Sequence, residues 1–334
     1  MRSRPRQDCP RRWANLFTEG TRLDLELAWI RSWLEVVDSG GFARAADRIH
    51  LSQPRISAHV ASLEHALGCS LIERRLRPLT LTDAGKRLLP RARAIVASID
   101  DTISDLRSTQ SSVAGRVTIA SFVSASSEFL PRLIAQLRSA NPLVEVAVLD
   151  GDVHAIEAAL SDRRASIAIR PLRPEPADRA LVMRPLWREP FVLLAPHGHP
   201  VLESKTVTLA QIAAYPVITI GDPLADQTVG YEALSAMLAS RLEPPFGIVS
   251  HHPTTLVAMV RAGHGLGLVN LLAAAMARTD GLEVREIENR HLHRDVGIWW
   301  HSERPISRAT QAFIDLALVS PLPAGTRAVP EESL

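Results

Sequence analysis

The hydrophobic period of this chain changes once, near Arg116. Before that point apolar residues recur at steps of three and four, the rhythm of amphipathic helices. After it, short apolar runs alternate with helical stretches, the pattern of a parallel sheet with crossovers. Such a chain calls for an all-α-type N-terminal module followed by an α/β part. With 334 residues, 46% of them hydrophobic, both parts can bury cores of their own.

Several classes are excluded early. The longest near-continuous apolar stretch, Gly265 to Ala277, contains Asn270 and is thirteen residues long; a membrane helix needs about eighteen. The N-terminus is basic (Arg2, Arg4, Arg6, Arg11, Arg12) but no apolar run follows it, unlike a secretory signal. Two cysteines, Cys9 and Cys69, make no disulfide framework, so a cytoplasmic location is expected. The charge is uneven: residues 1–110 hold 18 Arg and Lys against 13 Asp and Glu, the remainder 20 against 23. A basic block beside an acidic one points to a nucleic-acid-binding module joined to something else.

Residues 1–24 read as a basic N-terminal tail. Leu27, Ile30, Leu34 and Val37 mark a first helix, ended by Gly40-Gly41. Phe42–Ile49 gives a second. Ser52 then stands as an N-cap with Pro54 in the first turn, and Ile56, Val60, Leu63 and Leu67 form the inner stripe of a third helix closed by Gly68. Arg74–Leu81 is short and basic and fits a two-stranded wing. Thr82-Asp83-Ala84-Gly85 opens a further helix, in which Leu88, Ala92, Ile95, Ile99, Thr102 and Leu106 keep a coiled-coil rhythm. Ser108–Gly115 is polar and small, a linker.

Beyond it, expected strands Val117–Ala120, Val144–Leu149 and Ile167–Ile169 alternate with helices Glu128–Ser139 and Ile156–Leu160. A second set follows: strands Phe191–Ala195, Val217–Ile220, Phe246–Val249 and Leu266–Leu268, with helices Tyr231–Leu238 and Leu256–Ala262. Two α/β lobes fit this length.

Three short helices, the third opening Ser-Gln-Pro, and an Arg-rich wing describe a winged helix-turn-helix. Its recognition helix presents N-terminal side chains to major-groove base edges, while arginines hold phosphates. The DNA-binding candidates are Ser52, Gln53, Pro54, Arg55, Ser57 and His59 on the third helix, with Arg74, Arg75 and Arg77 on the wing. Gln53 can pair with an adenine edge and Arg55 with guanine or phosphate.

These residues carry a resemblance. Gly41-Phe42-Ala43-Arg44-Ala45-Ala46, Leu51-Ser52-Gln53-Pro54, Ile56-Ser57, Leu63-Glu64, Leu67-Gly68, Leu71-Ile72-Glu73-Arg74 and Leu81-Thr82-Asp83-Ala84-Gly85 follow, in order and spacing, the N-terminal pattern of the bacterial LysR-type transcriptional regulators. Gly115-Arg116-Val117, Leu130-Pro131, Asn141-Pro142 and Val260-Arg261-Ala262-Gly263-His264-Gly265-Leu266-Gly267 extend the likeness towards Val319.

The resemblance implies a winged helix-turn-helix over 25–84, a dimerising linker helix over 85–112 and a two-lobed effector-binding domain over 113–320 of the periplasmic-binding-protein-like (type 2) fold. Lobe 1 would take 116–188 and 295–319, lobe 2 189–292, and 321–334 would be a C-terminal tail. The chain would cross between lobes near Trp187–Pro190 and return near His291–Val296. Expected partners are double-stranded DNA at an interrupted palindromic promoter site, further copies of the chain as homodimer or homotetramer, RNA polymerase, and a small-molecule co-inducer. No cofactor, metal or membrane is implied.

Three positions depart from the family pattern: Ala58 replaces a basic residue, Arg163-Arg164-Ala165-Ser166 replaces Gly-x-x-Asp, and Asn270 replaces a proline. Candidate effector contacts are Ser121 and Ser124 after the first strand of lobe 1, faced by Thr219, His252 and Thr254 of lobe 2.

Other chemistry finds little support. His197-x-His199, His251-His252 and His291-x-His293 lack a recognised metal pattern. Gly263-His264-Gly265-Leu266-Gly267 follows a helix and precedes a strand, the reverse of a dinucleotide loop, and reads as a turn. There is no nucleophile elbow and no catalytic residue is expected. Cys69 reads as a packed thiol; a redox-responsive, degenerate or ligand-independent effector domain is the alternative.

Overall fold

The computed structural model describes residues 25–73, 78–107, 113–221, 242, 247–289 and 292–331. The tail at 1–24 and the wing arginines Arg74, Arg75 and Arg77 lie outside the described residues, as do the helix expected at Tyr231–Leu238 and residues 108–112. Two compact units emerge, Met1–Ile99 and Asp100–Leu334.

The first unit is a winged helix-turn-helix. Helix α1 (Leu27–Ser39) buries Ile30, Trp33, Leu34 and Val36 and ends at Gly40, whose φ of 66° closes the helix in the left-handed region. Helix α2 (Phe42–Arg48) buries Ala45 and Ala46. Helix α3 (Gln53–Leu67) starts where Ser52 Oγ accepts the Arg55 N–H, and turns Ile56, Val60 and Leu63 inward. Each such side chain contributes about 1.5–3 kcal/mol on burial. Strands β1 (Ile72–Glu73) and β2 (Thr80–Leu81) pair antiparallel as the base of the wing. Glu64 holds this base to α3: its Oε1 accepts the Leu71 N–H at 2.8 Å.

Helix α4 (Asp83–Arg107) begins where Thr82 Oγ1 accepts the Gly85 N–H and donates to Ser70 O. A Cβ at Gly85 would lie 2.2 Å from Leu71 O, so only glycine permits this approach. The helix runs through Pro90, at the cost of one backbone donor. Sequence reading divides wing from linker helix at 84/85, but Ala92 is fully buried in the first unit's core, with Leu88, Leu89 and Val96 packed against it. The Arg93 guanidinium also reaches the Asp38 carboxylate at the end of α1. The first half of α4 therefore belongs to the DNA-binding unit.

The second unit is built on one sheet ordered β4-β3-β5-β11-β6-β9-β7-β8, with β10 on the free side of β6. In lobe 1, β3 (Ala114–Ser121), β4 (Leu143–Asp150) and β5 (Ile167–Pro171) are parallel. Ala114 and Gly115, expected in the linker, pair with Leu143 and Val144 and so belong to β3. In lobe 2, β7 (Val217–Ile220), β8 (Gly247–Ser250) and β9 (Leu266–Asn270) are parallel. The long β6 (Leu181–Pro196) runs from one lobe into the other, and β11 (His293–His301) returns beside it, antiparallel. Strand β10 (Leu282–Glu286) pairs with β6 over Val192–Pro196. The antiparallel members of the sheet do not follow from the sequence pattern.

Alternation along β5 sets the two faces of lobe 1. Ile167 and Ile169 enter the core shared with α6 (Leu130–Ala140) and α11 (Arg308–Val319), whereas Ala168 enters the one under α7 (Val153–Ser161). The helix expected over Glu128–Ser139 is α6, preceded by a short helix the sequence pattern does not mark, α5 (Val123–Glu128), with a break between them at Phe129 (φ −115°, ψ −48°). Pro131 explains the break, since it has no N–H to carry the ladder back into α5. Helices α8 (Leu209–Ala213), α9 (Pro253–Arg261) and α10 (Leu271–Met276) complete the described part of lobe 2.

Candidate nucleic-acid interface and inter-lobe site

The first turn of α3 is open: Ser52, Gln53, Pro54 and Arg55 are exposed, and Ser57 is half-buried. Ser52 spends its side chain as the cap. At 100° per residue Gln53, Pro54, Ser57 and Ala58 lie on one side of the helix. His59 lies on the opposite flank. It is half-buried, and its Nδ1 is 2.7 Å from the Oγ of Ser32, a buried residue of α1. Through this contact His59, a DNA-binding candidate from sequence, ties α3 to α1. Arg44 and Arg48 are engaged locally, by Gly40 O and by the Glu35 carboxylate.

In the second unit, the carboxyl ends of the parallel strands carry the candidates, where α/β sheets commonly bind ligands. Ser121 ends β3, fully buried, with its hydroxyl donating to Phe122 O at 3.3 Å. Ser124 lies in α5 and is 4% exposed. Thr219 is 3% exposed, one residue before the end of β7. His252 and Thr254 flank the start of α9 and are exposed; the His252 side chain makes no cap bond. Asn270 is buried at the end of β9, its Nδ2 without a partner. Among the described residues no cluster of three or more metal-ligating side chains occurs, and no helix is long and apolar enough to cross a membrane. An apolar groove of about 340 Å³ lies between α6 and α11, lined by Leu137, Ala140, Leu316 and Val319, and so does not belong to the inter-lobe site.

The crossing strands carry a charge pattern that sequence reading misses. Arg188 of β6 makes a bidentate pair with Asp295 of β11, at 2.6 and 2.7 Å. One position on, fully buried Glu189 accepts from Arg294 Nε and Nη2, and also from the Leu272 N–H. The Arg294 guanidinium lies over the Phe122 ring at 4.2 Å. The Asp295 hydrogen bond raises the Arg188 pKa, outweighing the cost of burial. The signal is present as Arg-Glu and Arg-Asp within two apolar strands, where the chain crosses between lobes. Elsewhere, Arg170 is fully buried over Trp299 and donates to Pro174 O, its pKa lowered by burial despite Glu157.

Two family models match the chain: "Bacterial regulatory helix-turn-helix protein, lysR family" over residues 27–86 and "LysR substrate binding domain" over residues 110–319. The chain belongs to the LysR family. It is a DNA-binding transcriptional regulator with an effector-binding domain, not an enzyme. Among its relatives, the uncharacterized regulator YbhD of Escherichia coli is 26% identical over 294 residues, covering 88% of this chain and 91% of its own. CfxR of Cupriavidus necator is 29% identical over 262 residues, 78% of each. A full-length OxyR variant from Pseudomonas aeruginosa shares the fold with a TM-score of 0.66 at 22% identity, covering 90% of this chain and 99% of its own. Full-length CbnR in complex with its target DNA has a TM-score of 0.64 at 21% identity, over 87% and 98%.

Proposed function

We propose that this LysR-type regulator binds an interrupted palindromic promoter site as a homodimer or homotetramer, in the cytoplasm, and contacts RNA polymerase there. A small molecule held between the lobes sets its activity. The observation that carries the DNA reading is the open first turn of α3, where Gln53 and Arg55 are exposed behind a capped Ser52. The solved complex of CbnR with its target DNA supports it. Exposed Ile95, Ile103 and Leu106 on α4 support pairing through that helix.

The effector reading rests on two lobes joined by two crossing strands, the arrangement of a hinge. Ligand binding favours one lobe angle and so shifts the population of DNA-bound forms. One relative is named a hydrogen peroxide-inducible genes activator. Here Cys9 and Cys69 are the only cysteines, so residues 100–334 hold no thiol for such a switch, which favours a reversibly bound ligand.

The test is a DNase I footprint on the intergenic DNA upstream of the protein's own gene. A protected interrupted palindrome, lost with Gln53→Ala, is expected. A footprint unchanged by that substitution would overturn the assignment of Gln53 as a base reader.

A further inference from the structure

Residues 321–331, expected from sequence to be a tail and lying beyond the family match that ends at 319, are laid across the hinge. Leaving α11 in lobe 1, the segment buries Pro323 and turns at Thr326, whose N–H donates to Pro323 O. Gly325 sits against α10: a Cβ there would lie 2.5 Å from Leu271 Cδ2. Arg327 then exchanges both backbone hydrogen bonds with Arg188 of β6, at 2.7 and 3.0 Å. Val329 returns to the lobe 1 core that contains Trp299 and Leu181.

This path holds one residue from two sides. Arg188 is bound through its side chain to Asp295 of β11 and through its backbone to Arg327. It lies where β6 leaves lobe 1, beside the register shift at Val296/Gly297 and before β10 pairs from Val192 on. A hinge moves by changing backbone angles at a few such residues. Each backbone bond held there by a third segment opposes that change. The segment also touches Leu271, next to Leu272, whose N–H is bound by Glu189 of the same hinge.

We propose that residues 321–331 form a strap that clamps the hinge at Arg188 and restrains rotation of the two lobes. The proposal rests on the reading that lobe rotation carries the effector signal. In the strapped state both crossing strands are stiff; with the strap lifted, β6 and β11 flex together.

Hydrogen exchange tests this on the full-length protein, on a chain ending at Ser320 and on Gly325→Val. The valine meets Leu271, and the glycine's φ of 75° is a conformation a β-branched residue resists. Losing two backbone bonds is expected to speed exchange of the Arg188 amide about tenfold. The clamp further requires faster exchange at Arg294, Asp295 and Leu272, with β3 and β5 unchanged. Faster exchange at Arg188 alone would reduce the strap to a cover for a strand edge, and unchanged exchange would show no strap in solution; either overturns the proposal. If truncation loosens β3 as well, Gly325→Val, which keeps every other residue, decides by the same comparison. A footprint unchanged by Gln53→Ala would strike the assignment of Gln53 as a base reader and leave these exchange results standing.

Discussion

At the scale of single residues, His301 has the clearest consequence. Its side chain is 12% exposed at the end of β11, and its Nδ1 accepts the Glu303 N–H at 3.3 Å, a bond only the neutral ring can make. Burial and then the Arg304 charge hold its pKa below the ordinary 6.5, outweighing the opposing pull of Asp178 and Glu303, with Arg163 adding to the depression. Burial does the same at His199, beside Tyr215. The folded state therefore binds fewer protons than the unfolded chain just below 6.5. The stability this contributes is complete above that pH and is lost as pH falls through 6.5 towards the depressed folded value. The thermal midpoint of the second unit is expected to drop between pH 7.5 and 5.5. His301→Asn, which keeps an acceptor near the Nδ1 position, should flatten that slope while His199 retains part of it. Equal slopes in the two proteins, measured by calorimetry across that range, would remove His301 as a source.

At the scale of elements, α4 joins two kinds of surface. Its first half is core, through Ala92 and Arg93; further on, Ile95 is 45% and Leu106 82% exposed. Their spacing with Ile99 and Thr102 keeps the heptad, so a second α4 is the surface that would cover them. Replacing both Ile95 and Leu106 by Asp removes about 1.5–3 kcal/mol of burial per side chain and adds charge to the seam. The expected result in light scattering is loss of the oligomer with the first unit still folded; an unchanged mass would place the interface elsewhere. Sequence periodicity places these side chains on one face because helix spacing is local. The lobes are legible for the same reason: apolar runs such as Ile167–Ile169 name a buried strand whatever its partners. What periodicity cannot show is pairing. The antiparallel roles of β6 and β11, the Glu189–Arg294 pair and the pairing of Arg327 with Arg188 join residues more than a hundred positions apart. His59 lies on the half-buried flank of α3, and nothing local to it reveals its contact with Ser32 of α1.

At the scale of the whole molecule, the uneven charge has a measurable meaning. Residues 1–110 carry a formal +5, and the effector-binding part is acidic, so the net positive charge that attracts phosphate is concentrated at one end of the chain. Each phosphate neutralised releases condensed counterions and adds about 0.9 to the slope of log affinity against log salt. A base-reading side chain adds affinity without adding slope. The two kinds of candidate can therefore be separated by titration on the footprinted site. Replacing Arg74, Arg75 and Arg77 by Ala is expected to weaken binding to specific and unrelated DNA alike, and to flatten the slope by about 0.9 for every phosphate no longer neutralised. Gln53→Ala should keep the wild-type slope, yet lose about 1–3 kcal/mol on the specific site alone. A triple-alanine variant with an undiminished slope would show that the wing arginines do not face phosphate. The basic charge that binds DNA would then come from other cations of residues 1–110, among them the exposed Arg55, Lys86, Arg87 and Arg91 of α3 and α4.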